Sequence, residues 1–155
     1  MRKYIKGFIA VLLIIVLAWY VSGHWFQVML IQGASMEPAY HNLQPVLLDK
    51  HKIEYTYGDV VAFNCEGLNA VLVKRIAGCP GDDVVIRGGS LLINGELSSV
   101  YNEAFFENGG NLSDALVLGT GEYIVIGDNL KESKDSRYDE VGVVRDADII
   151  GRVID

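Results

Sequence analysis

Residues 70–97 read AVLVKRIAGCPGDDVVIRGGSLLINGEL, and this stretch decides the class of fold. Three short apolar runs, Val71–Ile76, Val84–Ile86 and Leu91–Ile93, are separated by Gly, Pro and Asp. Runs of this length, rich in branched residues and bounded by turn formers, read as strands rather than helices. Asn94-Gly95 is a two-residue hairpin signal, since both residue types tolerate positive φ. Arg87-Gly88-Gly89-Ser90 reads as another tight turn. The same pattern continues outward on both sides, in Pro45–Leu48, Asp59–Phe63, Tyr123–Ile126 and Ile149–Ile154. Residues 101–120 are polar, Gly-containing and poorly periodic, which predicts a long excursion from the sheet with a helical turn near Ser113–Leu116. Nothing repeats internally. The pattern predicts one mainly β, antiparallel domain.

Upstream the pattern changes. Gly7–Gly23 (GFIAVLLIIVLAWYVSG) has no charged residue, Arg2, Lys3 and Lys6 precede it, and no acid occurs before Glu37. At a rise of about 1.5 Å per residue, about 17 to 20 apolar residues span most of a ~30 Å hydrocarbon core. The basic flank predicts a cytoplasmic N-terminus and an exported body. Tyr20, Trp25 and Phe26 fall where an interfacial aromatic belt would lie. A cleavable signal peptide has the same polarity, and Val21-Ser22-Gly23 offers small residues, but the run is longer than a usual h-region and apolar character resumes at Val28–Ile31. A buried core helix would rarely lack every polar side chain. The expected organisation is therefore a cytoplasmic N-terminus (1–6), a transmembrane anchor (7–26) and an extracytoplasmic β domain (27–155), placing the protein in the cytoplasmic membrane as a single-pass chain.

Composition narrows the function. A chain of 155 residues accommodates one core plus a short appendage. Its net charge is −7 and no basic block lies outside the N-terminus, which disfavours nucleic acid as a partner. Cys65 and Cys79 read as unpaired thiols, with a bridge between them as the alternative. No CxxC or His-rich cluster calls for a metal.

Three segments carry candidate chemistry: Gly33-Ala34-Ser35-Met36-Glu37-Pro38, the run Val73-Lys74-Arg75 through Gly81-Asp82, and Gly127-Asp128-Asn129 through Ser133-Lys134-Asp135-Ser136-Arg137. A serine hydroxyl needs a neighbouring base to become a nucleophile. Histidine is the usual one, yet His24 lies at the membrane boundary, and His41 and His51 sit in polar stretches without an evident partner. A lysine serves only when its pKa falls from about 10.4 toward about 7–8 by burial. Lys74 has apolar neighbours in Val71, Leu72, Val73 and Ile76. Adjacent strand residues point to opposite faces, so Lys74 can enter a dry site while Arg75 meets carboxylates elsewhere.

Together, in this order and behind an N-terminal anchor, the three segments resemble the type I signal peptidase family over roughly residues 30 to 155. The resemblance implies an antiparallel β-barrel-like catalytic domain behind one transmembrane helix. It implies that Ser35 is the nucleophile and Lys74 the base of an acyl-enzyme mechanism, without a metal or organic cofactor. It further implies that the Ser133 hydroxyl bonds the lysine, that Asp135 and Arg137 form an ion pair which braces the site together with Arg75, and that Asp128 and Asn129 shape the same loop. The Ser35 N–H is the natural oxyanion donor. Where some relatives place a second donor hydroxyl, this chain has Gly33. Leu130, Cys79 and the acids Asp139 and Glu140 also depart from the family pattern. The implied partners are pre-proteins bearing signal peptides, with small residues before the cut, and the lipid bilayer, which Trp25, Phe26, Val28–Ile31 and Met36 would contact; no oligomer is required. Two other readings share these features: an inactive, membrane-tethered β domain that binds partners, and a self-cleaving repressor-type Ser/Lys protease, although the latter kind is soluble and carries a DNA-binding segment.

Overall fold

Helix α1 (Arg2–Trp25) runs without a linker into strand β1 (Phe26–Leu30). The computed structural model describes residues 2–51 and 54–154, with the side chains of 2–7, 10, 17–19, 21 and 22 outside the description. The anchor expected over 7–26 and its basic flank Arg2, Lys3 and Lys6 fall partly on those side chains. Among the described residues no helix is long and apolar enough to cross a membrane.

The strands that follow are β2 (Pro45–Asp49), β3 (Val60–Cys65), β4 (Ala70–Gly78), β5 (Asp83–Arg87), β6 (Ser90–Ile93), β7 (Glu96–Leu97), β8 (Leu116–Val117), β9 (Glu122–Ile126), β10 (Val144–Arg145) and β11 (Ile149–Ile154). They form a seven-stranded sheet, β1-β2-β11-β3-β4-β9-β10, and a four-stranded sheet, β7-β6-β5-β8. Every pairing is antiparallel. The barrel-like closure expected from the resemblance needs correction. Among the described residues both sheets are open, and β1 and β10 end the larger one. The chain leaves that sheet at the β4–β5 turn and uses the next strands to build a second layer instead of closing the first.

Two glycine features set this layering. A Cβ on Gly78 would lie 2.9 Å from Val84 and 3.2 Å from both Ile124 and Leu118, so only a bare backbone lets the second sheet settle here. The β5–β6 turn has Gly88 at φ +60° and Gly89 at φ +81°, which suits a two-residue hairpin. Asp82 locks the turn before β5: it is buried and accepts from Tyr57 Oη at 2.7 Å, Asn94 Nδ2 at 2.8 Å and the Cys79 N–H at 2.7 Å.

The middle of the large sheet is buried on both faces, which explains the unbroken apolar run of β3. Val60 and Ala62 enter one core with Ile31, Met36, Tyr40 and Leu48. Val61 and Phe63 enter another with Ile76, Tyr123 and Val125. A third core, including Ala77, Ile86, Leu91, Phe106 and Ile126, joins the two sheets. The excursion over 101–120 is present, but its helical turn lies earlier than expected, as a 3₁₀ turn at Gly110–Leu112, and Leu116 instead pairs with Val84. Cys65 and Cys79 are both free.

Candidate active site

Ser35 sits on a turn between β1 and β2, closed by the Glu37 N–H donating to Ala34 O at 3.1 Å. Met36, beside it, is 1% exposed and anchors the turn in the core beneath. Met36 and the buried Ile31 are therefore packing residues and present no lipid-facing surface. The preceding Gly33 has φ +88°, and its N–H donates to Asn42 Oδ1 at 2.9 Å. A side chain at 33 would point into open space. Gly33 thus supplies no hydroxyl, and its amide is already engaged. The Ser35 N–H donates to no acceptor among the described residues and remains available to an oxyanion.

Lys74 reaches this turn from the middle of β4. Its Nζ lies 2.8 Å from Ser35 Oγ and 3.0 Å from Val73 O, and the residue is 3% exposed. Burial disfavours the ammonium and pulls the lysine from its usual 10.5 down to about 8, against the opposing pull of the Asp135 and Asp128 carboxylates. The arrangement is a hydroxyl held against an amine that can be neutral near physiological pH.

Arg75, next along the strand, goes elsewhere. It donates to both oxygens of Asp128, from Nε at 2.8 Å and Nη2 at 2.6 Å, and from Nη1 to Gly58 O at 2.8 Å. Asp128, more than Asp135, is therefore the carboxylate that holds it. Asp135 is fully buried and takes Arg137 Nε at 2.8 Å and Nη2 at 2.9 Å. It also accepts the Gly127 N–H at 3.1 Å and the Ser133 hydroxyl at 2.6 Å. The Ser133 hydroxyl proton thus goes to Asp135, where a bond to Lys74 was expected. A carboxylate is the stronger acceptor, and this bond ties the loop to the ion pair.

Gly127, which opens the third motif, has a structural role that the motif alone does not disclose. A Cβ on it would lie 2.2 Å from Ser133 Oγ and 2.5 Å from Ser35 O. The next amide but one, Asn129 N–H, donates to Ser35 O at 3.0 Å. The loop can clasp the serine turn only because residue 127 has no side chain, a close approach that a glycine directly before Asp-Asn could have signalled.

A groove of about 310 Å³ contains both Ser35 and Lys74, between Met29–Gln32 on one side and Ala70–Val73 on the other. A larger hollow, about 780 Å³, holds neither of them but adjoins the turn through Glu37, Pro38 and Asn129. Because the contact between the serine hydroxyl and the lysine amine lies in it, the smaller groove is the candidate active site.

The sequence model of one family, described as signal peptidase, peptidase S26, matches residues 1–154. The chain belongs to the signal peptidase family. Among its signal peptidase relatives, Signal peptidase I P of Bacillus subtilis subsp. natto is 31% identical over 157 residues, covering 92% of this chain and 82% of the relative. Signal peptidase I S of Bacillus subtilis strain 168 is 31% identical over 140 residues, covering 83% of this chain and 75% of the relative. A signal peptidase I crystal structure from Enterococcus faecalis V583 is 28% identical with a TM-score of 0.49, covering 65% of this chain and 97% of that one.

Proposed function

We propose that the protein is a serine endopeptidase that removes signal peptides from exported pre-proteins, with Ser35 as nucleophile and Lys74 as general base. The observation that carries this reading is the 2.8 Å contact between a buried lysine amine and the Ser35 hydroxyl. Neutral Lys74 takes the hydroxyl proton as Oγ attacks the scissile carbonyl, and the Ser35 N–H receives the developing oxyanion. The ammonium then protonates the leaving amine, and Lys74 activates a water to release the acyl group. Ser133, Asp135, Arg137, Arg75 and Asp128 act by holding the loop and strand that set this contact.

The segment before the cut lies in the groove beside Lys74. Strand β1 ends its sheet, so one edge is free for main-chain bonds to an extended substrate. The groove is walled by the apolar side chains of Met29, Ile31, Met36 and Val73, which suits the small, uncharged residues expected before the cut. Helix α1 supplies residues 7–25 of the membrane anchor expected over 7–26, with the N-terminus inside and the domain outside, supported by the uncharged run Gly7–Gly23 and its basic flank. Phe26, Val28 and Leu30 alternate along β1 at 41%, 69% and 51% exposure, which supports contact of this strand with the lipid surface.

The test is cleavage of a membrane-embedded precursor with an Ala-x-Ala site, followed across pH. Lys74 works as the free amine, so kcat/KM is expected to rise about tenfold per pH unit below about 8 and to level off above it. A profile flat from pH 5 to 9 would remove the titrating base from the mechanism.

A further inference from the structure

The hollow of about 780 Å³ next to the serine turn has no part in the chemistry described so far. We infer that it is a second substrate subsite, which receives the residues following the scissile bond and favours apolar side chains there through Phe105. This inference rests on the assignment of Ser35 as nucleophile.

The placement follows from the turn itself. Ser35 and Met36 line the groove on one side, whereas Glu37 and Pro38, the next residues, line the hollow on the other. The hollow's loop wall, Asp128–Lys131, touches the serine through the Asn129 N–H on Ser35 O at 3.0 Å. A polypeptide crossing Ser35 with its earlier residues in the groove therefore enters the hollow with its later ones.

The chemistry follows from which charges are already paired. Asp128 and Arg137 line the hollow, but each is held by its own partner, at 2.6 Å to Arg75 and 2.8 Å to Asp135. Neither needs a counter-charge from a ligand. The apolar part of what remains is Pro38, Phe105, Leu130 and the ring of Tyr138, beside the polar Glu37, Glu107, Asn108, Asn129 and Lys131. Such a mixture of apolar walls and a few charged groups suits a peptide side chain.

Phe105 is 70% exposed, an unusual position for a phenylalanine, yet it is not loose. Its ring lies so close to Gly89 that a Cβ there would come within 2.2 Å of it. The next residue, Phe106, donates its N–H to Gly89 O at 2.8 Å. The hairpin turn thus forms a seat for an aromatic ring that lines the hollow with one face uncovered. Tyr138 is held similarly, with Arg137 Cζ 5.7 Å from its ring centre. Rings fixed in advance bind an apolar side chain without having to be ordered first.

The test uses the full chain in detergent micelles and two peptides identical up to an Ala-x-Ala cut. One carries Leu at the second to fourth positions after the cut, and the other carries Gly there. The expected result is a preference of about tenfold in kcat/KM for the Leu peptide. Phe105→Ala should bring the two substrates to within about twofold, while Phe105→Leu should keep most of the preference. No preference in the parent enzyme, or a preference that Phe105→Ala leaves unchanged, overturns the inference. If the parent cleaves neither peptide, the assignment of Ser35 has failed and the subsite falls with it, an outcome distinct from cleavage without preference.

Discussion

Replacing Lys74 by Met is expected to abolish cleavage and at the same time to make the protein more stable at pH 7. The activity loss follows from the 2.8 Å contact: without the amine, nothing at the site takes the Ser35 proton. A loss on the order of 10⁴-fold in kcat/KM is expected, the same as for Ser35→Ala, with the double variant no worse than either single one. The stability gain follows from burial. Unfolded, Lys74 keeps its proton up to its usual 10.5, whereas folded it gives it up at about 8. Between those values the unfolded chain binds more protons, so the parent protein becomes more stable as pH rises through that window. Below about 8 the full penalty applies, roughly 3 kcal/mol by this linkage. Met fills a similar volume and carries no charge. Allowing about 1 kcal/mol for each lost hydrogen bond to Ser35 and Val73, the variant should gain roughly 1 kcal/mol at pH 7. Thermal unfolding at pH 7 and pH 10 tests this: the advantage should be present at the lower pH and gone at the higher. A variant that is inactive but less stable than the parent at pH 7 contradicts the dry, destabilised lysine.

The second large effect belongs to Asp135. Its carboxylate is fully buried and collects the Arg137 guanidinium, the Ser133 hydroxyl and the Gly127 amide. Asp135→Ala leaves Arg137, itself 6% exposed, as a charge without its partner. The expected cost is about 3–5 kcal/mol of folding stability, read as a lower denaturant midpoint at unchanged slope. Activity should fall as well, because the same loop holds Ser35 O through Asn129. The fall should appear in kcat more than in KM, since the groove that binds the earlier residues is built from β1 and β4. A variant as stable as the parent would mean that the ion pair is dispensable.

The main strands were legible because their residues declare themselves: Val60, Val61 and Phe63 are buried whichever face they meet, and Asn94-Gly95 permits little but a turn. Strand β1 was not, because Phe26–Leu30 is short and follows the long apolar run after only Ser22-Gly23-His24-Trp25, so the change from helix to strand is written only in its pairing with β2. The two-residue strands β7, β8 and β10 are too short for a period and exist through their partners. In the site, Ser35 and Lys74 could be named from motif and chemistry, and they do meet. Which carboxylate holds Arg75, and where the Ser133 proton goes, could not be read, because Asp128 and Asp135 offer the same group within one loop. Phe105 was passed over as part of a polar excursion, since its seat on Gly89 comes from a turn distant in sequence.

The uninterrupted passage from α1 into β1 has a mechanical consequence. Strand β1 leads through residues 31–34 to the serine turn, so no loop separates the helix from the strand that carries the chain to the nucleophile. Under the proposed placement of the helix upright in a bilayer, the cut would be made at a set height above the lipid, and substrates would be measured by altitude as well as by side chain. A few flexible residues inserted between Trp25 and Phe26 would leave the chemistry whole and blur the gauge.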